Sequence, residues 1–373
     1  MENNLLKSPW LTLGIGTAGL AAVCLLSHVP CAKGILTHLG ILSKAPVDTL
    51  EASMRKVAST LSRRSFVCID DLSSSQIHCI MDLASFFKKQ VSQKLPCKFL
   101  DGKIMTTLFY EASTRTRCSF EAAMLNLGGR VISVSGSTSS AVKGETLEDS
   151  VRVLSSYCDV LVLRHPETNV MQKAKAHSLV PLVNAGDGSG EHPTQALLDL
   201  YTLCVYFPIF EKEFTICFVG DLKYSRTIHS LVKLLSRFNV VIKYIAPKSL
   251  QMPTEIQREV EQNFAKYNIP DLAYPRQTSF SELSDGLENC DAIYVTRIQK
   301  ERMSPEEYDL VKSSYIIDKS TMEKLAPHVK ILHPLPRVDE ISPEVDNDER
   351  CIYFEQAQNG VYVRMALLYL LLT

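Results

Sequence analysis

The chain has 373 residues, 46% of them hydrophobic, with a formal net charge of −1 and a pI near 6.8. That length suits about two domains, at roughly 100–200 residues each. The absence of a basic excess excludes the usual electrostatic footprint of a nucleic-acid binder. Eleven cysteines are scattered with no C-x-x-C pair, which reads as buried free thiols in a reducing compartment rather than a zinc site.

Residues 8–32, SPWLTLGIGTAGLAAVCLLSHVPCA, carry no Asp, Glu, Lys or Arg. The stretch is long enough to span a bilayer, although Gly, Ser, Thr and His dilute it. More positive charge follows it (Lys33, Lys44, Arg55, Lys56, Arg63, Arg64) than precedes it, which would keep the rest of the chain on the cytoplasmic side. An anchor, an organelle-targeting segment and a plain extension are the three readings of residues 1–50, and any membrane contact is confined to residues 8–32.

From residue 100, apolar β-prone runs alternate with helical periodicity. Strands are expected near 104–110, 130–135, 159–164 and 180–184, and helices near 114–128, 146–157, 169–177 and 193–206. Gly128–Gly129 should stop the first helix, Thr146 with Asp149 resembles a capping box for the second, and Pro193 opens the fourth. The pattern then recurs. FTICFVG, VVIKYIAP, DAIYVT and VKILHPLP read as strands, SRTIHSLVKLLSRF as a helix, with further helices near 254–266, 280–288 and 304–312. The expected fold is α/β: two doubly wound parallel-sheet domains, with the active site in the cleft between them. The division is residues 51–195, completed by a docking C-terminal helix near 353–372, and residues 196–352.

Ligands of open α/β sheets bind beyond the carboxyl ends of the strands, so the residues that follow each strand are the test. The first strand leads to Ser113, Thr114, Arg115 and Thr116, and the second to Ser139 and Lys143. Arg164 ends the third, and the fourth runs into His192 and Gln195. In the second half Arg226, then Arg297 and Gln299, then Leu335, Pro336 and Arg337 follow strands. Each alone has a bland explanation, as a solvated charge, a helix cap or a turn. Seven such junctions at one edge of two sheets point instead to a cleft. Arginines outnumber acids there, so the ligands should be anionic. The helix start at 113–116, with Arg115, suits a phosphate, while Arg226 and Arg297 suit carboxylates. No covalent triad and no metal-spaced cluster stands out, so positioning and fixed charge should carry the chemistry, without cofactor or metal.

The motifs FYEASTRTRCSF, RHP and GEHPTQ resemble those of the carbamoyltransferases, and VGDLKYSRTIHSL, TRIQKER and LHPLPRVDEI resemble the aspartate-specific branch. The likeness runs from about residue 66 to the C-terminus. The ornithine-type alternative would carry an HCLP-type motif where this chain has HPLP. The resemblance implies transfer of the carbamoyl group of carbamoyl phosphate to L-aspartate, in pyrimidine synthesis. It implies that Ser113, Thr114, Arg115 and Thr116 bind the phosphate. Thr116, Arg164 and His192 would polarise the carbonyl; Gln195 and the backbone of Leu335 and Pro336 would hold the carbamoyl amide. Arg226, Arg297 and Gln299 would bind the aspartate carboxylates. Ser139 and Lys143 would reach a neighbouring subunit's site, which implies a homotrimer. Arg117 has no ligand role in this scheme and is expected to support its loop.

Overall fold

A computed structural model describes residues 59–299 and 315–373, with Met303, Ser304, Glu306 and Tyr308 between them. The apolar stretch 8–32 and most of the helix expected near 304–312 lie outside the described residues. Among the described residues, no helix is long and apolar enough to cross a membrane.

Four parallel strands form the first sheet: β1 (Ile104–Phe109), β2 (Arg130–Ser135), β3 (Val160–His165) and β4 (Leu182–Asp187), in the order β2-β1-β3-β4. Helices cover the sheet on both faces, so the inner strands β1 and β3 are buried almost throughout, and so is the edge strand β4, flanked by the Phe66–Val183 bridge. The edge strand β2 alternates between half-buried and exposed positions. Between β1 and β2 runs α2 (Thr114–Asn126), burying Phe120, Ala123 and Met124. It ends as its two glycines require. Gly128 has φ +84°, its N–H donates to the Leu125 carbonyl at 3.0 Å, and the Gly129 N–H reaches the Met124 carbonyl at 3.0 Å. These are the two bonds of a Schellman cap.

Helices α3 (Leu147–Ser155), α4 (Val170–His177) and α5 (Pro193–Tyr206) follow the expected order. Only half of the capping box at α3 forms: the Thr146 hydroxyl accepts the Asp149 N–H at 3.2 Å. Asp is one methylene shorter than the Glu that usually reaches back. A complete box occurs where none was expected, at the start of α1 (Ser74–Ser92). There Ser73 Oγ accepts from the Gln76 N–H and Gln76 Oε1 accepts from the Ser73 N–H.

The second sheet, also parallel, has the order β7-β6-β5-β8-β9. Its strands are β5 (Phe214–Val219), β6 (Val240–Ile245), β7 (Gln277–Phe280), β8 (Ala292–Val295) and β9 (Lys330–Leu332). Long helices α6 (Arg226–Leu235) and α7 (Thr254–Lys266) follow β5 and β6. The helix expected over 280–288 is a single turn, α8 (Leu283–Gly286), and the strand β7 just before it was not expected. A short edge strand reading QTSF carries no apolar signal. Helix α9 (Lys319–Lys324) precedes β9, and α10 (Tyr353–Leu372) closes the chain against α1, α2 and α5.

Strand order reverses between β1 and β3 in one sheet and between β5 and β8 in the other. These are the switch points where the loops part and a crevice opens. The second depends on Gly220, at φ +111°, whose absent Cβ would overlap the backbone oxygen of Thr296 just beyond β8. Gly220→Ala is expected to destabilise the chain by about 1–3 kcal/mol from the backbone conformation alone, with the overlap adding to it. Thermal melts check this; a variant within about 0.5 kcal/mol of the parent would remove the constraint assigned to Gly220.

Candidate active site

The loops beyond both switch points enclose a cavity of about 910 Å³. From the first lobe it receives Ser113, Thr114, Arg115 and Thr116 after β1, Arg164 from the end of β3, and His192 and Gln195 at the start of α5. From the second lobe come Arg226 at the start of α6, Arg297 and Gln299 after β8, and Leu335 and Pro336 after β9. Six of the seven strand-end junctions therefore reach one space. The seventh does not: Ser139 and Lys143, in short 3-10 turns after β2, are absent from its lining. Lys143 is exposed. Arg337 also turns elsewhere, pairing with Asp346 and Tyr353.

The start of α2 corrects one expectation. Ser113 occupies the N-cap position, but its side chain makes no capping bond. The first N–H groups of the helix stay available to an anion, and the positive end of the helix dipole faces the cavity with them. Burial lowers the pKa of Arg115. Thr116 is buried, while Arg117 lies 3.9 Å from Glu121 one turn on, an ion pair within α2.

Electrostatics here are one-sided. Arg115, Arg164, Arg226, Arg297 and Arg364 line the cavity, and among the described residues Glu111 is its one carboxylate. Glu111 bridges the lobes, meeting Arg164 of the first at 3.0 Å and Arg226 of the second at 3.3 Å. Arg164 also donates to the Ala185 carbonyl at 3.1 Å, yet its Nε is buried without a partner. Burial, and then the neighbouring Arg226, push its pKa down to about 10. Sequence reading passed over Glu111, although it follows β1 by two residues and the strand-end rule covers it. Arg364, from α10, carried no strand-end signal at all.

His192 is 4% exposed, and its ring is held neutral by burial and by the charges of Arg164, Arg226 and Arg364. Its backbone N–H donates to Ser230 at 3.0 Å, whereas the ring Nδ1 has no partner. A neutral imidazole in that position can join a hydrogen bond to a ligand oxygen but cannot act as a cationic acid. The loop after β9 is latched in a definite tautomer. His333 Nδ1 accepts the Leu335 N–H at 2.8 Å, so Nε2 carries the proton donated to Glu340 at 2.7 Å. Leu335 sits at φ +54°, before a cis peptide bond to Pro336. Among the described residues no group of three or more His, Cys, Asp or Glu side chains is arranged to hold a metal.

Residues 64–204 match the family model of the aspartate/ornithine carbamoyltransferase carbamoyl-P binding domain, and residues 212–371 that of the Asp/Orn binding domain. The chain is 42% identical over 342 residues to the multifunctional protein pyr1-3 of Dictyostelium discoideum, covering 91% of this chain but only 15% of that protein. It is 46% identical over 314 residues to the aspartate carbamoyltransferase catalytic subunit of Thermoplasma volcanium, covering 84% of this chain and 99% of the relative. Among solved structures, aspartate transcarbamoylase from Trypanosoma cruzi, crystallised with aspartate and phosphate, superposes with a TM-score of 0.77 at 38% identity, over 85% of this chain and 97% of that one. With both halves of the chain matched and the sheet-edge cleft in place between them, this protein belongs to the aspartate/ornithine carbamoyltransferase family.

Proposed function

We propose that this chain is an aspartate carbamoyltransferase, transferring the carbamoyl group of carbamoyl phosphate to the α-amino group of L-aspartate. The products are N-carbamoyl-L-aspartate and phosphate, in de novo pyrimidine synthesis. The observation that carries this reading is the cavity's charge: among the described residues five arginines stand against one glutamate, beside a helix start whose N-cap side chain makes no capping bond. Such a space suits a phosphate and a dicarboxylate together. The Thermoplasma and Trypanosoma relatives are named for aspartate, which favours aspartate over ornithine.

In this reading Ser113, Thr114, Arg115 and Thr116 bind the phosphate. Thr116, Arg164 and neutral His192 face the carbamoyl oxygen, and Gln195 with the backbone of Leu335 and Pro336 faces its NH2. Arg226, Arg297 and Gln299 take the aspartate carboxylates. The amine attacks the carbamoyl carbon, negative charge develops on the carbonyl oxygen, and fixed donors stabilise it. The bond to the phosphate oxygen then breaks, and the amine proton leaves with the phosphate. Residues 51–195 with 353–373 serve carbamoyl phosphate, and 196–352 serve aspartate. Ser139 and Lys143 complete the site of a neighbouring chain in a homotrimer. The proposed location is the cytoplasmic side, on the strength of the positive charge that follows residues 8–32.

The primary test is product formation from carbamoyl phosphate with aspartate or ornithine; activity with ornithine alone would overturn the reading. Arg115→Ala is expected to lower turnover by at least about 10²–10³ with an unchanged thermal melt, and near-normal turnover would remove Arg115 from the site. Neither Lys143→Ala nor Arg115→Ala homo-oligomers should work well. Chains mixed after dissociation should regain activity, because some sites receive both intact halves; no recovery would count against shared sites. Fractionation of a tagged full-length chain beside one lacking residues 1–45 tests the location, and both chains are expected on the cytoplasmic side.

A further inference from the structure

We infer that Asp199 fixes the amide of Gln195 with its carbonyl oxygen toward the cavity, and so makes the site select an acyl phosphate bearing NH2 over one ending in methyl. This rests on the carbamoyl-transfer reading above and adds a residue that touches no substrate. Asp199 lies one turn beyond Gln195 on α5 and is fully buried. Three side chains donate to its carboxylate: Gln195 Nε2 at 2.9 Å, Gln356 Nε2 at 2.6 Å, and the Tyr294 hydroxyl at 2.9 Å.

The polarity of each group in this network is forced. A carboxylate only accepts, so both amides must turn their NH2 ends to it. For Gln356 the other end agrees, because its Oε1 accepts the His333 backbone N–H at 2.8 Å. Beyond His333, the Leu335 N–H is already taken by the ring Nδ1. What this loop can offer a ligand is therefore carbonyl oxygen. Gln195, which lines the cavity, spends one Nε2–H on Asp199 and keeps its Oε1 to offer as an acceptor. The corner made by Gln195, Leu335 and Pro336 is thus built of acceptors, matched to the two N–H donors of a carbamoyl group. A methyl group there would leave desolvated acceptors unpaired, the situation in which a polar site rejects an analogue most strongly. Positive-positive conflict does not arise at the hub, since Arg364 of α10 is the cation acting on Asp199 and His192 is held neutral.

The charge on Asp199 sets this polarity. Burial pushes its carboxyl up to about 7, with Gln356, Tyr294, Gln195 and Arg364 holding it from going further. Once protonated, Asp199 can donate to Gln195, whose amide is then free to turn. Selectivity should accordingly be complete above neutral pH and fade as pH falls through about 7.

The experiment compares carbamoyl phosphate with acetyl phosphate as donors to L-aspartate. In the acetyl reaction the amine nitrogen bonds to the acetyl carbon, the carbon–oxygen bond to phosphate breaks, and the amine proton leaves with phosphate. N-carbamoyl- and N-acetyl-aspartate are separated by chromatography, and the ratio of the two kcat/KM values is the readout. Asp199→Asn, whose amide can donate to Gln195, is expected to lower that ratio at least about tenfold, with KM for aspartate within about twofold of the parent. Proportional loss with both donors is what a merely structural role predicts, and it would overturn the inference. If the variant does not fold, the unmodified protein decides. Its ratio should fall from pH 8.5 to pH 6, where substrate phosphate and amine titrations largely cancel between donors, and a flat ratio overturns the inference. A parent protein that forms no N-carbamoyl-aspartate would instead overturn the functional reading itself.

Discussion

The cavity concentrates like charge, and the rest of the architecture exists to hold it there. Arginines from both lobes converge around Glu111, which pairs with Arg164 and Arg226. Cations brought together this way repel, and burial removes the water that would screen them. Burial first, and then the neighbouring arginines, lower the pKa of Arg164 and keep His192 neutral. A dianionic phosphate relieves it. Binding is then favoured by charges that folding has already arranged, and little reorganisation remains for the reaction step. Glu111 has a second consequence. As a bridge between lobes it competes for Arg226, one of the groups assigned to aspartate, so ligand carboxylates must share or displace an existing partner.

Rigidity comes from the C-terminal helix. α10 packs on α1, α2 and α5, and from its buried face Gln356 and Arg364 reach the site. The hydrogen-bonded path from Asp199 through Gln356 to His333 and Glu340 ties the start of α5 to the loop after β9. Two segments far apart in sequence are thus held at the same cavity with fixed polarity. A helix docked after the last strand locks the relative placement of the two sheets at the cavity's floor.

Much of this was legible in the chain. Helices over Pro193–Tyr206, Thr254–Lys266 and Tyr353–Leu372 follow from periodicity with clear stops. Strand ends predicted the lining because parallel sheets project their loops to one edge. What escaped has physical reasons. β7 is a polar edge strand with nothing to bury on one side. The hydroxyl of Ser113 looked like a cap, but capping depends on a rotamer that sequence does not specify. Glu111 and Asp199 act through charges that only folding brings opposite their partners, and no periodicity marks them.

The loop after β2 stands apart from the cavity that the other strand-end loops line. β2 is an edge strand with exposed positions along its length, Ile132 among them at 38% exposure, and the turns beyond it carry Val142 at 71%. A flat edge with apolar side chains normally requires protection by charge, a bulge or a covering partner. Lys143 sits on this loop, exposed and outside the cavity formed by its own chain. Under the proposed function, a second copy of the chain covers this edge and the loop serves that copy's cavity. In the homotrimer proposed above, closed rotational symmetry would let every chain give one loop and receive one through a single repeated interface.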